Sequence, residues 1–503
     1  MSRTAWMAVG CALLALVGAV LVVRFGAPVL PAIVIVPLGL TLALKRPFAL
    51  LLLLWFVVAL VPHGNLGDLW FRKKLGVPLH PIDLLYWGSL AAWFGRWALE
   101  RFRLDRLRGH MSLAPPILAV VFAITLSVFV GVVNGHATWD LFRDLRNAAL
   151  WLMLPVAWVE LSTERRIRAA LGVIVAGSLL YAVAACVVST LPDTTWPRSV
   201  ILDHWRGSAR IYFHNHFVFV TVLPLVTGYA IAGRSLASRF LRAAPAPLLI
   251  WATWVSITRS LIVLVPAVAL LTAGVLVLTS RNRGRWWRPV SAMVAAVVVA
   301  AVGYQAIETA RPRPAVTVAD SDVARRFSAL SSDPTKKDVS LKGRVRSYRF
   351  AFEDAAVSPT FGHGMGALLR VPWANQLGGP GSTRKKGYQP AVDNAPLTVL
   401  VKAGTLGFLA AAWLLLAILW LQARAIFAAR GAVERLWIPS ALLAGTLGMI
   451  AVSQLQATLL TSRYIILFAV FAAISDRYAN RPSQVASRAD VVSSSSSSAS
   501  SRK

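Results

Sequence analysis

The chain has 503 residues, 57% hydrophobic and 15% charged, with a mean hydropathy of +0.63. Near-continuous apolar runs at 34–44, 50–61, 117–133 and 261–278, joined by short arginine-rich connectors, describe a polytopic helical membrane protein rather than a soluble domain. The runs do not alternate polar with apolar, which excludes a β-barrel. The net charge of +31 is read as span connectors meeting anionic headgroups, with no nucleic acid as partner.

The N-terminal MSRTAWMAVGCALLALVGAVLVVRFG has the basic start and apolar core of a signal peptide. Its core is long, and no small-residue cleavage site precedes a soluble domain, so it is read as the first span. Hydropathy predicts about 12–14 spans: 5–23, 28–44, 48–62, 82–99, 115–133, 147–160, 169–190, 215–232, 245–257, 260–279, 290–306, 395–421, 437–452 and 462–475. Cys11 and Cys186 both fall inside spans, so neither a disulfide framework nor a cysteine metal site is expected.

The connectors alternate in character. Those at 44–47, 101–110, 163–168, 233–242, 281–288 and 422–435 are arginine-rich and are assigned to the cytoplasm. The loops 63–81, 134–146, 191–214 and 307–394 then lie outside, and both termini inside. Long loops escape the positive-inside bias, so the basic residues of 307–394 do not disturb this parity. No nucleotide-sugar pool exists on that side, so chemistry there needs a substrate already activated.

The large loop has two parts. Residues 307–342 are polar, with Pro and Ser. From Gly343 a helical stripe begins, with Val345, Tyr348, Phe352 and Ala355 on one face and Arg346, Arg349 and Glu353 on another. SPTFGHGMG ends it, and its glycines at 362, 364 and 366 permit positive φ and close backbone approach. Such a helix suits either the headgroup surface or the roof of a cavity.

Asp393 and Asn394 stand at the mouth of the next span, where an Asp serves as a helix cap or as a general base. Arg259 lies in a tight apolar hairpin, and an arginine between apolar stretches is a functional candidate or a snorkelling side chain. Arg463 has the same two readings, while Arg210 is closer to an ordinary loop position. Asp320 and Asp322 have the D-x-D metal spacing but face the wrong compartment. His214 and His216 are two apart and do not share a helix face, so no metal site is assigned.

An arginine before FHNHF, the TRSLIVL hairpin, GR…RFAFEDA…SPTFGHGMG and DNAPLTVLVKAGTLGFLA occur in one order and on one side. Over roughly 205–475 this resembles the O-antigen ligase and polysaccharide polymerase family. The resemblance implies an inverting, metal-independent glycosyltransferase of the cytoplasmic (inner) membrane, its active site facing the exterior and needing no cofactor. The donor would be a glycan on undecaprenyl pyrophosphate, and the acceptor a glycan or glycolipid. By position, Arg210 and Arg259 would bind the pyrophosphate, Arg344 would help close the site and Asp393 would activate or orient the acceptor. His363, Asn394 and Arg463 are further candidates. Asp393 stands where the ligases have His, which leaves ligase and polymerase equally open.

The segments expected are N-terminal helices over 1–200, arginine-bearing helices over 201–306, the large loop over 307–394, C-terminal helices over 395–475 and a disordered serine-rich tail over 476–503. The other classes that fit are a transporter or flippase without chemistry, and an envelope-assembly scaffold. The first calls for inverted repeats with broken helices, and no repeat is visible in the sequence.

Overall fold

The computed structural model describes residues 46–60, 81–99, 111–190, 201–205, 208–212, 217–233, 235–255, 259–279, 339–371, 388–429, 433–454, 460 and 464–480. The expected spans 5–23, 28–44 and 290–306, residues 307–338, Arg463 and residues 481–503 of the serine-rich tail lie outside these residues; the start of that tail, expected to be disordered from 476, is helical to Ala479. The chain divides into one unit of residues 1–57 and 67–109 and a second of 58–66 and 110–503. In chain order the first two helices are α1 (Pro47–Leu60) and α2 (Pro81–Leu99). Within the first unit, α2 stacks Trp93 on Trp97.

The second unit holds α3 (Ala114–Val133), α4 (Thr138–Ala149), α5 (Met153–Glu160), α6 (Glu164–Thr190), α7 (Val218–Ile231), α8 (Leu236–Ala243), α9 (Pro245–Val255) and α10 (Arg259–Thr279). After the large loop's first half come α11 (Val339–Val357), α12 (Ala395–Ala428), α13 (Val433–Ser453) and α14 (Tyr464–Ala479). Two short antiparallel ladders complete it: β1 (Ile201–Trp205) with β2 (Ser208–Tyr212), and β3 (Leu369–Arg370) with β4 (Tyr388–Gln389).

Helices α7 and α14 are apolar all round and buried along nearly their whole length, as central helices of a bundle must be. Helix α7 packs on α10 and α13, and α14 on α5 and α12. By contrast α3 turns Leu118, Phe122, Phe129 and Val133 outward, and α12 turns out Leu409, Trp413, Leu416 and Trp420. Water does not tolerate an apolar surface of that extent; a bilayer requires it. Among the described residues five helices are long and apolar enough to cross a membrane: α3, α6, α10, α12 and α13.

Three expectations change. The predicted span 147–160 is the second part of a helical path in which α4 runs through Leu150–Leu152 into α5, so the loop expected at 134–146 is largely helix. The loop at 191–214 contains the β1–β2 hairpin. Helix α11 starts at Val339, and its buried side is Ser347, Ala351 and Ala355 with Tyr348 half-buried; Val345 and Phe352 are exposed. Ala351 and Ala355 are small enough to let α11 lie close against Leu397 and Val401 of α12, and the larger side chains are left outside.

Hydrogen bonds gather the segments between spans into two groups. Ser112, Trp158, Glu164, Asp476, Arg477 and Tyr478 meet at one end. Asn134, His136, Asp144, residues 359–366, Asp393 and Gln454 meet at the other. The segments in each group are those that the sequence places on one side.

Candidate functional site

Helix α12 starts with a built tip. Asn394 is its N-cap: the side-chain oxygen accepts from the Leu397 amide at 2.9 Å, and Nδ2 donates to the Gln454 carbonyl at 3.1 Å. Thr398 Oγ1 donates to the Asn394 carbonyl at 2.9 Å and accepts from the Val392 amide at 3.2 Å. The capping duty considered for Asp393 therefore falls on its neighbour, and the Asp393 carboxylate is directed elsewhere.

That carboxylate meets α11. Arg344 Nε donates to Asp393 Oδ2 at 3.2 Å, with the two side chains 31% and 30% exposed. Tyr348, one turn further along α11, donates its hydroxyl to the Asp393 carbonyl at 2.7 Å and fixes the helix against the tip. Among the described residues the two terminal nitrogens of Arg344 and the second oxygen of Asp393 have no partner. The pair thus presents one open cationic edge and one open acceptor oxygen to the half-exposed space beside the tip. Burial raises the Asp393 pKa above the usual carboxylate range, and the Arg344 charge and hydrogen bond pull it back in part.

The glycine turn is a wedge between two spans. Gly362, Gly364 and Gly366 all have positive φ, at 69°, 89° and 85°. A Cβ at Gly364 would overlap the backbone of Gly131 in α3, and one at Gly362 would lie 2.6 Å from the Gly404 nitrogen in α12. Gly404 itself, at φ 64° and ψ −167°, breaks α12. There the Thr405 and Leu406 amides donate to the Pro359 and Thr360 carbonyls, at 2.8 and 3.3 Å. The His363 and Gly364 amides donate to the Val401 and Lys402 carbonyls, at 2.8 and 2.9 Å. The turn so supplies partners to backbone groups that the kink deprives of helical ones, as a kinked helix near a bilayer requires.

Beneath the turn lies a charge cluster absent from the sequence-based candidates. Lys402 Nζ pairs with Asp144 Oδ2, which also accepts from the Gly366 amide at 2.9 Å. Arg143 donates to Asp140 at 2.6 Å and reaches Asp144 at 3.4 Å. All four side chains are at most 18% exposed. The signal was present: Lys402 is a lone lysine in the apolar run LTVLVKAGTLG, subject to the reasoning that singled out Arg259.

His363 is tied into the turn. Its Nε2 donates to the Asp354 carbonyl at 2.7 Å, and its own carbonyl accepts from Asn134 and His136, at 3.0 and 2.8 Å. Nδ1 is the ring atom left for any other role. Arg210 lies on β2 opposite Asp203 in the ladder, and Arg259 is the first residue of α10; for both, the description extends to the backbone. Hence Arg344, His363, Asp393 and Asn394 all lie against the N-terminal part of α12. The side chains of Arg210 and Arg259, and the whole of Arg463, lie outside the described residues.

The buried central helices, the lipid-facing belt and the polar groups at the ends define a polytopic helical membrane protein, with a candidate site where α11 meets the start of α12. Residues 245–412 match the O-antigen ligase family, from α9 to the kinked part of α12. No curated protein matches the chain. That family consists of glycosyltransferase-like enzymes acting on lipid-linked glycans. The match encloses Arg259, Arg344, His363, Asp393, Asn394 and Lys402, and leaves out Arg210, Asp144 and Arg463.

Proposed function

We propose that the chain is a membrane glycosyltransferase that transfers or polymerises a polyprenyl-pyrophosphate-linked glycan at the outer face of the cytoplasmic membrane. The observation that carries this reading is the Arg344–Asp393 pair, with an open guanidinium edge beside an open carboxylate oxygen, inside the family match. The acceptor hydroxyl oxygen attacks the anomeric carbon of the donor sugar. The carbon–oxygen bond to phosphate breaks, and the polyprenyl pyrophosphate leaves with the electron pair. A single displacement inverts the anomeric centre.

Asp393 takes the hydroxyl proton or orients the hydroxyl; its raised pKa makes it a stronger base than an ordinary aspartate. Negative charge grows on the departing diphosphate, and the open edge of Arg344 is proposed to meet it. Arg210 and Arg259 are proposed as further cations for the same group, with Arg463 as a candidate third. No step requires a metal: guanidinium groups take the charge-neutralising duty.

The test is product formation by purified protein reconstituted with a polyprenyl-pyrophosphate oligosaccharide and an acceptor. Wild type releases polyprenyl pyrophosphate and elongates the acceptor; Asp393→Ala and Arg344→Ala lose at least about a hundredfold, and Asp393→His retains more than Asp393→Ala. Product length separates the two modes, since a polymerase gives a ladder of repeat units and a ligase a single transferred block. Absence of turnover by wild type with every acceptor offered would return the chain to the transporter class.

A further inference from the structure

We propose that Lys402 and Asp144 form a positioning clasp that holds the glycine turn in the α12 kink and thereby sets Arg344 against Asp393. The catalytic part of this inference rests on the proposed glycosyl transfer; the geometric part does not.

Lys402 holds the turn twice. Its carbonyl accepts from the Gly364 amide and from Ser127 Oγ, each at 2.9 Å. Its ammonium pairs with Asp144, whose same oxygen takes the Gly366 amide. Two amides of one short turn are therefore fixed by a single lysine and its partner. The turn needs such ties, because its three glycines offer no side chains to pack. Both charged side chains are about one-tenth exposed, at 11% and 10%. Apolar residues fill such a space at least as well, so a buried pair here is more economically explained by the direction it imposes than by stability.

The turn is in turn joined rigidly to α11. Ser358 Oγ donates to the Gly362 carbonyl at 2.8 Å, and the His363 ring donates to the Asp354 carbonyl at 2.7 Å. From there α11 reaches back to Arg344 over about 20 Å, at ~1.5 Å per residue. A rotation of ~5° at the turn therefore moves Arg344 by roughly 2 Å on that lever. The Arg344–Asp393 contact, at 3.2 Å, does not survive such a shift. Arg143 reaches the other oxygen of Asp144 and is itself paired with Asp140, so the clasp is anchored in α4 rather than in the loop it restrains.

The experiment uses full-length protein in lipid nanodiscs with Cys11 and Cys186 replaced by serine and spin labels at Val132→Cys and Arg349→Cys, both exposed sites. In the parent the distance distribution between the labels is single and narrow. In Asp144→Asn/Lys402→Met, which removes the pair without leaving a lone buried charge, the distribution broadens and its centre moves, while elution and thermal midpoint stay near those of the parent. In the same variant without labels, kcat falls roughly tenfold or more and donor KM rises, because the displaced Arg344 edge is the group proposed to meet the donor diphosphate.

A superimposable distribution in the double variant overturns the proposal. So does a double variant that cannot fold, which would assign the pair to plain support. If the distribution broadens but the parent shows no glycosyl transfer, the clasp stands and the proposed reaction falls.

Discussion

At the scale of single residues, Asp393 and Asn394 divide two duties that the sequence left on one aspartate. Asn394 caps α12, and Asp393 turns to Arg344. Asn394→Ala should cost about 1 kcal/mol of stability, measured by thermal or denaturant unfolding in detergent, through the lost cap. Arg344 is one of the influences lowering the Asp393 pKa, against the larger raising effect of burial. Removing it in Arg344→Met should raise that pKa further. The basic form of Asp393 then accumulates only at higher pH, so the acid limb of the residual activity should move upward; a limb that stays in place, or moves down, would separate Asp393 from the proton transfer. Lys402 and Asp144 escaped the sequence reading for a physical reason. Asp144 lies in a segment that reads as a connector, and only the fold brings it to a lysine 258 positions away.

At the scale of elements, most helices were legible because a bilayer demands long apolar runs and little else imitates them. The expected 260–279 and 115–133 correspond within a residue or so to α10 and α3. Helix α4 was missed because TWDLFRDLRN looks polar; its charges are satisfied by one another and by Lys402 rather than by water. The sequence puts Val345, Tyr348, Phe352 and Ala355 on one face of α11; the contact with α12 takes Tyr348, Ala351 and Ala355 and leaves Val345 and Phe352 exposed, because that contact needs small residues. The glycine turn was legible as a turn, but its wedging into α12 depends on Gly404, which a sequence reading passes as one more span residue. Gly404→Ala and Gly364→Ala should each lose at least about 1–2 kcal/mol from the left-handed conformation alone. Overlap with the Thr360 backbone or with Gly131 adds to this. Thermal unfolding in nanodiscs checks it, with Gly274→Ala, where a Cβ meets nothing within 4 Å, as the tolerant control.

For the whole molecule, the hydrogen-bonded grouping of loops leads to a prediction about sides. Arg349 and Trp139 are exposed at the end that holds the glycine turn, and Arg168 is exposed near the opposite end, where Glu164 meets Tyr478. Cysteines placed at 139 and 349 should react with a membrane-impermeant thiol reagent from outside intact cells, and one at 168 only after permeabilisation. Labelling of 139 and 349 from opposite sides would dissolve the site. The sequence carried the membrane class and, among the described residues, the places of the long apolar helices. It did not carry the assembly of α4, the turn and the two halves of α12, because that assembly is held by backbone amides and one buried ion pair.

The most direct measurement compares Asp393→Asn with Arg344→Met for donor affinity and turnover, using purified protein and a polyprenyl-pyrophosphate oligosaccharide. The account predicts that Asp393→Asn binds donor as wild type does and turns over at least about a hundredfold more slowly, while Arg344→Met weakens donor binding as well. Wild-type turnover by Asp393→Asn would contradict it.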